Sequence, residues 1–292
     1  MEYTIKNDMI SVAVSSRGGE PKSIISNDFV SYLYEGNPNY WPGSGPHLFP
    51  FIGRLFEARY LYDSVSYPLS IHGFLKDSEM ELEELGDDYI VLRLDANETT
   101  LTHYPFDFTL KISYILEENV VKIIFDIQNN DKKDMPFAIG GHPGFNVPIE
   151  EGLVFEDYYL EFDEACSPKR SQPTESNLLN GVHLDFPLED GRRIYLKHSL
   201  FDDDAIILKD AASSVTLKSD KGTRAVRVDY DGFKYIGFWH TVKSDAPFVC
   251  IEPWSALQGF ENEVQQIDKN DDMIVLKQSE STRREIKITI IS

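Results

Sequence analysis

Leu110-Lys111-Ile112-Ser113-Tyr114-Ile115-Leu116, Glu117-Glu118-Asn119, and then Val120-Val121-Lys122-Ile123-Ile124-Phe125-Asp126-Ile127-Gln128 is the stretch that decides the fold class. Val121, Ile123, Phe125 and Ile127 recur at every second residue, with Lys122, Ile124 and Asp126 between them. A period of two belongs to a strand with one buried face. Glu118-Asn119 between two such runs predicts a hairpin of 110–116 and 120–128. The same period returns at Ile286, Ile288 and Ile290 around Lys287 and Thr289. Asp231-Gly232 is a strong two-residue turn signal and predicts a second hairpin between 226–230 and 233–239. Clusters of Gly, Pro, Asn and Asp separate many short strands, which indicates an all-β sandwich or barrel.

Helical periodicity is nearly absent, and 260–266 is the sort of short stretch expected to form a turn or two of helix. The segment 167–180, with Pro168 and Pro173, reads as a long surface excursion rather than a boundary. No repeat, low-complexity tract or Ser/Gly-rich linker interrupts the chain, so residues 1–292 are expected to form one domain.

The 292 residues are 41% hydrophobic and 26% charged, enough for a substantial core. A formal net charge of −21 disfavours nucleic acid and anionic lipid as partners. The first residues, Met1-Glu2-Tyr3-Thr4-Ile5-Lys6, do not read as a signal peptide. The uncharged segment 135–149 is broken by Pro and Gly and is unsuited to crossing a membrane. Two cysteines, Cys166 and Cys250, lie far apart, and Cys250 sits in an apolar run as a free buried thiol; a cytoplasmic setting is expected. Asn97-Glu98-Thr99 matches a glycosylation sequon, read as chance without a secretion signal.

Four places put polar groups among apolar or Gly/Pro-rich neighbours. In Phe248-Val249-Cys250-Ile251-Glu252-Pro253-Trp254, strand alternation points Phe248, Cys250, Glu252 and Trp254 one way. Glu252 therefore projects from an aromatic surface, where desolvation raises a carboxyl pKa and suits it to act as a base; the competing reading pairs it with an arginine. Arg54, in Ile52-Gly53-Arg54-Leu55, wants a carboxylate or a ligand oxygen. His72, before Gly73, reads either as a satisfied rim histidine or as a ligand contact. His142, in Gly140-Gly141-His142-Pro143-Gly144-Phe145-Asn146, is held by Pro143 and left uncrowded by glycine, in a cleft or in a plain turn.

No His-Glu-x-x-His, paired Cys-x-x-Cys or Gly-x-Ser-x-Gly pattern occurs, so neither a zinc site nor a serine nucleophile has its usual spacing. Asp202-Asp203-Asp204 lacks the spaced ligands of a calcium loop, but its last carboxylate precedes an apolar run and can face a ligand. Trp41, Trp239 and Trp254 can offer flat faces to a sugar ring, tyrosine hydroxyls to its oxygens, or simply fill the core.

Gly53-Arg54, His72-Gly73, His142-Pro143-Gly144-Phe145-Asn146 and Glu252, in that order, resemble the motifs of the aldose 1-epimerase (galactose mutarotase-like) family, over nearly the whole chain. The resemblance implies a large antiparallel two-sheet supersandwich that binds a sugar on its concave face, with no cofactor and no metal. It implies Glu252 as the base taking the proton of the anomeric hydroxyl and His142 as the acid protonating the ring oxygen. Arg54, His72, Trp254 and an aspartate of the Asp203-Asp204 pair, Asp204 in preference, would hold the sugar. Phe74 stands where galactose-type members usually have a second glycine, and Gly144 where they usually have tyrosine. Glu252-Pro253-Trp254 is closer to the hexose-phosphate and uncharacterised branches. The expected activity is mutarotation of a free aldose. The alternatives are 1-epimerisation of a hexose 6-phosphate and a non-catalytic sugar-binding protein, in each case as a monomer or homodimer.

Overall fold

The computed structural model describes residues 1–292. The predicted hairpin forms: strand Phe108–Glu117 pairs antiparallel with Val120–Asn129, from Glu117↔Val120 to Phe108↔Asn129. Its inward residues Ile112, Tyr114, Val121, Ile123, Phe125 and Ile127 are buried, as their period of two requires. Ser281–Ile291, the second alternating run, lies against Val120–Asn129.

These strands sit within a nine-stranded sheet, ordered Arg193–Tyr195, Tyr158–Phe162, Ser214–Ser219, Ala225–Asp229, Ser281–Ile291, Val120–Asn129, Phe108–Glu117, Tyr89–Asp95 and Glu81–Leu85. Facing it is an eight-stranded sheet ordered Leu179–Asp185, Lys169–Pro173, Ile206–Lys209, Tyr235–Trp239, Phe248–Trp254, Gly140–Gly141 and His47–Leu48, with Gly144–Asn146 also paired to Phe248–Trp254. The strand ladders are antiparallel. Phe162 of one sheet meets Phe238 of the other at 6.2 Å between ring centres. A cluster of 66 buried side chains runs from Ile5 to Ile290. The all-β, two-sheet expectation is therefore met, with a three-stranded N-terminal sheet and two strand pairs added.

Three local expectations are corrected. Asp231-Gly232 does make a turn, with Gly232 at φ +83° and Phe233 N–H donating to the Tyr230 carbonyl (3.1 Å). Its flanks do not pair with each other: Ala225–Asp229 joins Ser214–Ser219 and Ser281–Ile291, whereas Tyr235–Trp239 joins the other sheet. The turn carries the chain from one sheet to the other. The 167–180 excursion contains a strand, Lys169–Pro173, bonded on both sides, with a bulge between Ser171 and Pro173 in its pairing to Leu179–Asp185.

Residues 260–266 are not helical. Their backbone is drawn to neighbouring strands instead, with Glu261 N–H on the Leu179 carbonyl (2.9 Å) and the Gln265 carbonyl on Leu61 N–H (2.8 Å). The one α-helix, Glu98–His103, begins at the sequon: the Asn97 side chain accepts from Thr99 and Thr100 N–H, and the Thr100 hydroxyl oxygen accepts from Asn97 N–H. No helix is long and apolar enough to cross a membrane.

Candidate active site

Strand Phe248–Trp254 is buried along its whole length, and its alternation divides the molecule's two apolar environments. Val249 and Ile251 enter the main core, while Phe248 and Cys250 pack with Tyr34, Trp41 and Trp239. Glu252 and Trp254, on the same face as Phe248 and Cys250, open onto a cavity of about 350 Å³. Glu252 is 1% exposed. Opposite it stands Gly237, where a Cβ would come within 3.3 Å of the Glu252 Cβ and 3.5 Å of the Trp254 ring.

His142 is brought alongside by backbone bonds on either side. Gly140 pairs with both Trp254 and Leu48, His142 N–H donates to the Pro46 carbonyl (3.0 Å), and Ile251 N–H donates to the Pro143 carbonyl (3.1 Å). The imidazole packs on Trp41 (5.0 Å) and against the edges of Trp239 (5.6 Å) and His72 (5.5 Å). Its Nε2 lies 3.2 Å from Glu252 Oε2, which also accepts from Trp254 Nε1 (3.2 Å). Glu252 Oε1 and His142 Nδ1 have no protein partner. No arginine pairs with Glu252.

Burial raises the Glu252 pKa well above its ordinary value, Trp254 opposing and Asp204 adding to the rise. Burial pushes His142 down to about 4. Desolvation opposes a charge on either group and favours the uncharged pair, with its proton on the carboxyl.

His72 sits at φ +63°, followed by Gly73 at +73°. A Cβ at Gly73 would fall 2.1 Å from the Phe49 carbonyl oxygen, so glycine is required there. Gly53 and His72 bond reciprocally: Gly53 N–H donates to His72 Nδ1 (3.1 Å) and His72 N–H to the Gly53 carbonyl (2.9 Å). Neutral His72 therefore carries its proton on Nε2 and can donate it to a ligand. Its pKa is held well below the usual value, first by burial and then by His142, Lys76 and Arg54.

Arg54 is exposed and lines the cavity, its side chain without an ion-pair partner; its N–H donates to Gln258 Oε1 (3.2 Å). Asp204, half-buried at φ +70°, lines the same cavity, whereas Asp203 does not.

The six residues singled out in sequence, Arg54, His72, His142, Asp204, Glu252 and Trp254, thus share one cavity wall. Lys76, Gln258 and Ile207 line it as well and were not anticipated. Lys76 carries no motif beyond following His72-Gly73. Gln258 is recognisable only once its bridge from Arg54 N–H to the Asn177 carbonyl (3.1 Å) is seen. Glu20 was also missed: its Oε1 accepts from the N–H groups of Ser44 (2.8 Å) and Gly45 (3.1 Å), pinning the loop that leads to Pro46.

His142, Cys250 and Glu252 each place a potential metal donor within 4.8 Å of the others, a grouping formed between strand Phe248–Trp254 and the connection after Gly141 and invisible as a spaced motif. Two of its three members are the hydrogen-bonded His142 and Glu252. Chemically, the cavity offers two titratable groups side by side, donors at His72 and Arg54, an acceptor at Asp204, and indole faces, a combination suited to a small polyol with one apolar face.

A family model described as aldose 1-epimerase matches residues 1–289. The plasmid form of protein LacX from Lactococcus lactis subsp. lactis is 33% identical over 301 residues, covering 100% of both chains. A galactose mutarotase related enzyme from Lactobacillus acidophilus has a solved structure that matches with a TM-score of 0.94 at 31% identity, over 100% of this chain and 98% of that one. A galactose mutarotase-like protein from Lactobacillus casei ATCC 334 matches with a TM-score of 0.94 at 28% identity, over 99% and 100% respectively.

Proposed function

We propose, because the chain belongs to the aldose 1-epimerase family, that it interconverts the α and β anomers of a free aldose by acid–base ring opening. The observation that carries this reading is the 3.2 Å approach of His142 Nε2 to Glu252 Oε2 on the wall of a sugar-sized cavity. Ring opening moves protons at two oxygens bonded to one carbon, the anomeric hydroxyl and the ring oxygen. Two adjacent titratable groups are therefore needed, one taking a proton while the other gives one. Glu252 takes the hydroxyl proton and His142 delivers one to the ring oxygen. The open-chain aldehyde turns about its C1–C2 bond, and closure with the transfers reversed yields the other anomer.

In the protein alone, burial holds the pair's proton on the carboxyl. A sugar hydroxyl donating to Glu252, and a ring oxygen accepting from His142, favour the ion-pair arrangement of the same proton count. His72 and Arg54 donate to sugar oxygens, Asp204 accepts, and Trp254 both lines the ring site and anchors Glu252.

The test is polarimetric or NMR exchange between anomers, run over a panel of aldoses and hexose 6-phosphates. Catalysed exchange of at least one free aldose, abolished in Glu252→Gln, is expected; exchange of every sugar at the buffer rate would sink the reading. One observation favours 1-epimerisation of a hexose 6-phosphate as a second reading: Lys76 joins Arg54 in lining the cavity, giving two cations for a phosphate. Exchange confined to the 6-phosphates would select it.

A further inference from the structure

Cys250 is a free, buried thiol two residues before Glu252 on the same strand face, and ring opening makes no use of it. Its sulfur lies within 4.8 Å of a donor atom on both His142 and Glu252. Three donors so spaced share a point no more than about 2.8 Å from each, against roughly 2.0–2.3 Å for zinc bonded to oxygen, nitrogen and sulfur. His142 Nε2 and Glu252 Oε2, 3.2 Å apart, already have the separation of two ligands on one tetrahedral zinc ion. Glu252 Oε1 is buried without a partner, and Trp254 Nε1 fixes the same carboxyl group through Oε2, as an outer-shell donor orients a ligating carboxylate.

Charge fits as well as distance. Burial keeps the thiol and the carboxyl protonated and the imidazole neutral. A divalent cation that displaces the thiol proton and the carboxyl proton to solvent meets one thiolate, one carboxylate and a neutral imidazole. The buried cluster is uncharged before and after, so desolvation does not oppose the exchange as it opposes a bare ion. His142 and Glu252 line the cavity, which supplies the entry path and an open fourth position; Cys250 stands behind them.

We propose that Cys250, His142 and Glu252 form an inhibitory site for a thiophilic divalent cation, Zn²⁺ or Cd²⁺, entered through the cavity. A bound ion takes Glu252 and His142 out of proton transfer, so metal and sugar compete for the same two side chains. Mg²⁺ is excluded, since it demands an octahedron of oxygen ligands and gains nothing from a thiolate. Inhibition rests on the mutarotase reading; the metal site does not, and is tested separately.

Tag-free protein is titrated with Zn²⁺ while exchange of its fastest aldose is followed by NMR. The intact chain, Cys250→Ala, Cys250→Ser and Cys166→Ser are each compared with their own metal-free rate. Zn²⁺ should inhibit the intact protein and Cys166→Ser at the same concentration, and EDTA should restore the rate. Both Cys250 variants should need roughly a hundredfold more Zn²⁺ for the same inhibition, the effect of losing one ligand. Mg²⁺ should inhibit none of them. No inhibition by Zn²⁺, inhibition undiminished in the folded Cys250 variants, or equal inhibition by Mg²⁺ would overturn the proposal.

If no sugar is converted at all, the mutarotase reading fails. The metal site is then judged by absorption spectra during titration with Co²⁺. A thiolate-to-cobalt charge-transfer band that saturates at one ion per chain, is displaced by Zn²⁺ and is missing from Cys250→Ser upholds the site. Cobalt bound without that band, or not bound at all, refutes it.

Discussion

His47 and His142 lie in similar surroundings and differ in what faces them. Both are buried, both leave Nδ1 without a partner, and burial pushes both down to about 4. His47 Nε2 meets the Tyr114 hydroxyl at 2.7 Å, which itself donates to the Gly19 carbonyl (2.7 Å), a closed chain inside the core. His142 Nε2 meets a buried carboxyl and lines a cavity. A depressed histidine pKa therefore reports desolvation, and catalytic potential comes from the second titratable group and from ligand access.

The largest expected effect separates the two regions by rate. Glu252→Gln should lower the exchange rate by roughly 10³-fold, since it removes a proton-transfer group, while thermal stability moves little because a neutral acid is replaced by a neutral isostere. His142→Gln should fall in the same range, and His47→Gln should leave the per-molecule rate of the folded protein near that of the parent. A fall for His47→Gln as deep as for His142→Gln would erase the distinction.

Acid should separate the two histidines as well. His47 binds a proton near 6.5 in the unfolded chain and only near 4 in the folded one, so unfolding takes up a proton there in that window, whereas the proton that His142 gives up on folding is held by Glu252 and the two shifts offset. The His47 contribution to stability is full above 6.5 and falls as pH drops towards 4, by up to about 3 kcal/mol. Urea titrations at several pH values should show this slope, and a flatter one in His47→Gln. The catalytic profile differs in kind. The one-proton pair persists from about 4 up to the raised pKa of Glu252, so kcat/KM should hold level between an acid limb near 4 and an alkaline limb set by Glu252.

Smaller effects come next. Tyr114→Phe deletes the bond to Gly19 and strands His47 Nε2, for about 1–3 kcal/mol and a melting point lower by about 2–4 °C per kcal/mol, with the rate preserved. Trp254→Phe keeps a flat face but removes the N–H that opposes the effect of burial on Glu252. Its rate should fall only several-fold, about 1 kcal/mol, and its alkaline limb should move to higher pH.

Sequence legibility followed the range over which each signal acts. The hairpin of Phe108–Glu117 with Val120–Asn129, and the shared face of Cys250, Glu252 and Trp254, follow from alternation along one strand. The 226–239 stretch misled because Asp231-Gly232 specifies a turn but not the partners of its flanks, which come from residues 214–219 and 281–291 on one side and 206–209 and 248–254 on the other. Glu98–His103 is too short to show a helical period and announced itself only through its cap. Arg54, His72, His142, Asp204, Glu252 and Trp254 were recognisable from their order and neighbours. Lys76, Gln258 and Glu20 act through contacts distant in sequence and carry no local mark.

Gly237 gives the site a steric dial. With no side chain of its own, it leaves Glu252 its position; a single methyl there would crowd the Glu252 Cβ and rest against the Trp254 ring without removing either side chain. Changes in turnover can thus be reached through a residue that never touches a proton, on a strand that also carries the indole of Trp239. Under the proposed mechanism, activity in descendants of this chain can be retuned by bulk alone, with Glu252 and His142 left intact.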